Sequence, residues 1–273
     1  MPMRTVFALV MVGLASAASA QPAPSAASPA PVPADDTSFE VRAGLGFGRY
    51  SEHMFGFDFS SDIQPFALLA IEGEFPAGRG FVVVQADAGL GTEVDMHATS
   101  QGMLVQNNRF RQELYDGSLR YRGRGTGRLI FEIGYRFTMQ RLHFSDIRDQ
   151  DGNMTLIDAA TEVVNVHALE GGLGWRHIGE DGTRRQLLFV IGLNRATAEN
   201  DQIEDEDFSA IGASLNVRAT HRWASGFQLE GQLAFRQQGG SDPEQVTVMG
   251  MQTDGVWPNN TTWHLLAVAG YAF

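Results

Sequence analysis

The chain of 273 residues contains no cysteine and no lysine. Without cysteine there is no disulfide framework and no site for an amino-terminal lipid, so the fold must close itself by hydrogen bonding and burial. All 20 basic residues are arginine, outnumbered by 32 acidic ones, and the formal net charge is −12. That balance argues against a protein that covers nucleic-acid phosphates, because such a surface needs a basic patch. Helical periodicity is missing as well. The apolar run Val6 to Leu14 is too short to cross a bilayer as a helix.

What is present divides the chain in three. Met1 to Ala20 has the layout of an export leader, with Arg4 near the start, the apolar run, and Ala18-Ser19-Ala20 as a small-residue cleavage site. Cleavage is expected after Ala20. Residues 21–37, rich in Ala, Pro and Ser, cannot bury apolar area and read as an extended, disordered tail. Residues 38–273 suffice for one large β domain, since closed barrels of this size occur as single domains.

Within 38–273, apolar residues alternate with polar or small ones, the period of a strand. At the carboxy terminus Trp263, Leu265, Ala267, Ala269, Tyr271 and Phe273 share one parity, with aromatics at both ends. The length fits the roughly 9–11 residues of a tilted strand that crosses a bilayer. About ten such segments can be drawn, with eight or twelve as alternatives, joined alternately by long polar connections and tight turns. The long connections are expected at 51–64, 93–112, 145–158, 199–207 and 237–260. Two segments bend the rule: Val164 and Val166 fall on the polar parity, and 187–193 is apolar on both faces. Aromatics of the apolar parity group at the two strand ends, Phe39, Phe75, Trp175 and Phe273 at the tight-turn end and Phe47, Tyr115, Phe137 and Trp263 at the other.

The polar parity carries charges of both signs. Glu40, Glu72, Glu74, Asp87, Glu132, Glu170 and Glu230 are available to Arg42, Arg120, Arg122, Arg136, Arg218, Arg222 and Arg236. An arginine facing mid-bilayer lipid costs about 2–4 kcal/mol, so if the apolar face meets lipid these side chains must point into a lumen. So many long side chains are expected to fill it.

Together these features resemble the small outer-membrane β-barrel proteins of Gram-negative bacteria, the OmpA-like and opacity-type group. The resemblance implies an all-β, transmembrane, antiparallel up-and-down barrel with long extracellular loops, short periplasmic turns and both termini in the periplasm. It implies outer-membrane lipid and lipopolysaccharide as surroundings. Tyr271 and Phe273 would form the signal read by the barrel-assembly machinery. The expected role is structural or surface-interacting, with no catalytic residue, no cofactor, no resident metal and no nucleic acid. A narrow channel for small solutes is the alternative.

Three constellations carry potential chemistry. His143-Phe144-Ser145 is similar to the His-x-Ser pair of outer-membrane lipid A deacylases, although Asp146 stands where that pattern has Asn. Asp95-Met96-His97 with Asp205-Glu206-Asp207 is similar to the paired motifs of omptin proteases, in reversed chain order. The third is loop acidity, Asp146, Asp149 and Asp151 in one connection and Glu199, Asp201, Glu204, Asp205, Glu206 and Asp207 in another, carboxylates of the kind that hold Ca²⁺ or Mg²⁺. Asp149-Gln150-Asp151-Gly152-Asn153 has part of a calcium loop but lacks an acid two residues before Asp149 and the closing glutamate, and a solvated acidic loop is the expected reading.

Overall fold

A computed structural model describes residues 37–273 apart from 55, 125–127, 156, 205–207, 242–243 and 249–250. The expected leader, its cleavage after Ala20 and the tail up to residue 36 lie outside the described residues.

The strands are β1 (Ser38–Met54), β2 (Phe57–Ser61), β3 (Gln64–Ala77), β4 (Gly80–Gly91), β5 (Val94–Ser100), β6 (Met103–Arg124), β7 (Leu129–Asp149), β8 (Ala159–Ile178), β9 (Arg184–Asn200), β10 (Ile203–Glu204), β11 (Phe208–Arg222), β12 (Phe227–Gln238), β13 (Glu244–Val248), β14 (Met251–Gly255) and β15 (Asn259–Ala272). Ten of them, β1, β3, β4, β6, β7, β8, β9, β11, β12 and β15, pair antiparallel in chain order. β15 then pairs with β1 from Glu40↔Ala272 to His53↔Asn259, which closes the ring. The result is an all-β up-and-down barrel. Closure leaves no free edge, the condition for β structure to stand in hydrocarbon. The seam is tight: a Cβ on Gly46 would lie 2.0 Å from the Leu265 carbonyl oxygen, so only glycine lets β1 and β15 approach.

The lower part of the barrel wears its apolar residues outside. Leu45, Leu169, Leu173, Leu193 and Ile211 are 71–78% exposed and form part of a continuous belt. A belt of that size on a protein surrounded by water would be an aggregation hazard; on a barrel it is the surface that meets lipid. β9, whose pattern did not orient it, turns Phe189, Ile191 and Leu193 outward and buries Leu188 and Val190.

The expected long connections are largely strand. β2 occupies part of 51–64, β5 and the first ten residues of β6 occupy 93–112, and β7 runs on to Asp149. β2 pairs with the end of β1, and β5 bridges β2 and β6, so the wall continues past the aromatic ring at the loop end. The alternation that marks a lipid-facing strand stops where lipid stops; the strand itself does not.

Above that ring the two faces exchange character. On β8, Leu169 points out and Glu170 in, whereas Asn165 and His167 point out and Val164 and Val166 are buried. On β7, Ile133 points out and Arg136 in, whereas Arg141 points out and Leu142 is fully buried. The two valines on the polar parity belong to this second regime.

Candidate functional site

The lumen is the place where the chain concentrates chemistry, and it is stacked in layers. At the tight-turn end, Glu72 lies within ion-pair distance of four arginines, Arg42 at 3.2 Å, Arg120 at 3.4 Å, Arg122 at 3.7 Å and Arg218 at 3.8 Å. Arg42 also reaches Glu230 past the intervening strand β15 at 3.3 Å. Glu132 pairs with Arg120 at 3.2 Å, Arg218 at 3.5 Å and Arg122. Glu74 pairs with Arg122 and with Arg184 at 3.4 Å, and Glu40 with Arg222 at 3.3 Å. Arginine suits this arrangement because its planar fork donates to several carboxylates at once.

One step toward the loops, Arg136 donates to Glu170 at 2.7 Å, Thr138 donates to Asp116, and Arg236 donates to Thr138 at 2.9 Å. Asp87 accepts from Gln85. The structure thus places all fourteen charged residues of the polar parity on the inner face, eleven of them buried and Asp87, Arg222 and Arg236 partly so. Desolvating one charge without a partner costs several kcal/mol, and here the interior supplies partners from every side.

Next comes a dry layer. Tyr50, Met96, Phe110, Leu142, Val164, Val166, Ala196 and Ala198 are buried together, and the rings of Tyr50 and Phe110 stack at 5.3 Å. Trp257, from a segment expected as loop, is 2% exposed and packs into the same cluster. Reasoning from sequence missed Tyr50, Glu52, Glu162 and Trp257. The one signal that could have found this layer was the pair of valines on the wrong parity of β8.

Outside, at the loop end of the apolar belt, a row of arginines and histidines crosses four adjacent strands, with Arg111 and His143 sharing Glu113. Arg111 on β6, Arg141 on β7, His167 on β8 and Arg195 on β9 are exposed, and His143 on β7 is partly so. His167 stands opposite Phe137 and Arg195 in register, packs on the Phe137 ring at 5.1 Å, and meets the Tyr135 hydroxyl.

No protein-family model and no curated sequence matches the chain. Its fold is similar to that of the outer-membrane protease OmpT from Escherichia coli, with a TM-score of 0.63 at 10% identity, over 88% of this chain and 97% of that one. The transport unit of the autotransporter AIDA-I from Escherichia coli aligns with a TM-score of 0.47 at 10% identity, over 89% and 93%. The COG4313 outer membrane channel from Pseudomonas putida F1 aligns at 0.38 and 12%, over 93% and 100%. The chain has the fold of a Gram-negative outer-membrane β-barrel.

Of the residues that suggested hydrolysis, Asp95 and His143 have other partners. Asp95 is held by Arg109 at 2.8 Å, which also donates to Glu93 at 3.0 Å. Asp205-Glu206-Asp207 lies outside the described residues. His143 faces Glu113 at 3.4 Å and Thr161 at 3.4 Å, and among the described residues no hydrogen bond joins it to Ser145. The Asp149 carboxylate accepts the backbone N–H groups of Asp151 and Asn153, both at 2.9 Å, and the Asn153 amide at 3.2 Å. Those donors hold its proton affinity below the usual carboxylate range and knit the loop around Gly152, whose φ is 82°. Among the described residues no group of three or more His, Asp or Glu converges in metal-binding geometry.

Proposed function

We propose that the protein is a closed outer-membrane barrel with a structural and surface-interaction role, and that it performs no catalytic step. The observation that carries this reading is the filled lumen: an arginine–glutamate network, a mixed polar layer and a dry aromatic layer lie one above another. An ion entering such an interior would have to break pairs whose separated charges are costly to bury. Both termini lie in the periplasm and the long connections face outward in this reading.

The outer patch of Arg111, Arg141, His167 and Arg195 supports a second element, the phosphate groups of lipopolysaccharide as the surface partner. Arginine is suited to bidentate phosphate contacts, and here it stands where an apolar belt ends and headgroups begin. Tyr271 and Phe273 pack ring to ring at 5.1 Å on the closing strand, the aromatic pair that the barrel-assembly machinery would read in this proposal.

Planar-bilayer recording tests the closed lumen. Silence at moderate voltage is expected, and a steady open current would establish the channel alternative instead. Incubation with lipopolysaccharide or a basic peptide is expected to leave both unaltered.

A further inference from the structure

Above the dry layer the lumen opens into a cavity of about 230 Å³. Phe59, Phe144, Phe208 and Trp257 supply its aromatic walls. Its charged groups are all carboxylates, Glu52, Glu162 and Glu199, beside the amides of Gln106, Asn108 and Asn200. Glu162, 8% exposed, takes the Trp257 indole N–H at 3.0 Å with one oxygen. Glu52 accepts from the Tyr50 hydroxyl. Asn108, 3% exposed, lines the cavity with a side-chain oxygen that has no hydrogen-bond partner. It sits where the register of β6 against β7 slips between Asn107 and Arg109, an irregularity of the kind that re-aims side chains at barrel rims.

The contrast with the lower lumen points to what is missing. There the buried glutamates stand against arginines; here Glu52 and Glu162, with Glu199 at the exposed side, share a pocket whose lining contains no arginine and no histidine. Buried carboxylates without a counter-ion repel each other and are disfavoured as anions, and Glu162 feels both its burial and Glu52. A cation with N–H donors would satisfy both carboxylates and the Asn108 oxygen, and aromatic faces attract such a cation in addition. An engineered apolar cavity of about 150 Å³ accepts benzene, so this one has room for a single ring bearing a short amine arm.

We propose that the cavity is a binding site for a small organic cation, with its ammonium or guanidinium group held by Glu52 and Glu162 and its apolar ring between Phe144, Phe208 and Trp257. The site lies on the loop side of the dry layer, so a ligand reaches it without crossing the ion-pair network.

Calorimetric titration of the full chain, folded in zwitterionic detergent, tests this with 2-phenylethylammonium as probe. Saturable binding at one site is expected, at least tenfold tighter than 2-phenylethanol or phenylacetate. Glu162→Gln and Glu52→Gln are each expected to weaken the ammonium at least tenfold while the β-sheet circular dichroism is retained. Should one variant not fold, the other and the neutral alcohol carry the comparison. Equal affinity for ammonium and alcohol, unchanged affinity in the folded variants, or no saturable binding would overturn the proposal. So would Ca²⁺ saturating the carboxylates without competition from the ammonium.

Discussion

Near the carboxy-terminal end of β8, Leu169 and Leu173 face outward at 72% exposure and Glu170 is buried against Arg136; a few residues earlier on the same strand Val164 and Val166 are buried and Asn165 and His167 face outward. One strand therefore obeys two opposite patterns. The lower half has hydrocarbon outside, so apolar residues go there and every inward charge must be paired within the lumen. The upper half has water outside, so it buries a dry core like that of a soluble barrel. What changes along the strand is the solvent, and the sheet continues through it.

This difference can be broken at its strongest point first. Glu72→Ala leaves four arginines without their shared carboxylate and is expected to destabilise the barrel by about 3–5 kcal/mol. Urea titration of the folded protein in detergent measures it, and a loss under 1 kcal/mol would mean that the network is solvated. Leu142→Ala, in the dry layer at 0% exposure, is expected to cost about 2–5 kcal/mol by leaving a cavity. Its effect should be unaffected by salt if that layer is an ordinary apolar core.

Two outward positions of β8 sharpen the contrast. Leu169→Arg faces mid-bilayer and is expected to cost about 2–4 kcal/mol. Asn165→Arg, on the same face of the same strand, is expected to change stability by under about 0.5 kcal/mol. Similar costs at the two positions would abolish the boundary between the halves.

The smallest effect concerns pH. Burial first, and Glu52 second, raise the proton affinity of Glu162, so the folded state holds its proton at pH values where the unfolded chain has released it. Stability from this group is complete below the ordinary glutamate range and declines as pH rises through the raised folded value. Glu162→Gln is expected to remove that decline, seen as flatter unfolding midpoints between the ordinary glutamate range and pH about 8. A steeper decline in the variant would contradict the assignment.

The lower half was largely legible in the sequence because hydrocarbon enforces strict alternation. The strand count, the closing segment Trp263 to Phe273 and the outward parity of Leu129, Phe131 and Ile133 follow from that one constraint. The inward course of Arg120 and Arg122 follows from the cost of arginine in lipid. Which glutamate each arginine reaches was not legible, since Arg42 and Glu230 meet 188 residues apart through closure of the ring. The upper half was hidden for a different reason. Its outward residues, such as Ser51, His97 and Arg109, meet water and keep no strict pattern, so 93–112 reads as a polar connection. Trp257 lies just before Pro258 and two asparagines, a context that signals a turn and gives no hint of burial.

The absence of native cysteine makes the central claim directly measurable. Single cysteines placed along β8 from 163 to 173 and spin-labelled in lipid vesicles report contact with oxygen, which partitions into lipid, or with a water-soluble relaxant. The account predicts that 169, 171 and 173 respond to oxygen, that 163 and 165 respond to the aqueous agent, and that 164 and 166 respond to neither. Lipid contact at 163 and 165, or aqueous access at 164 and 166, would contradict it.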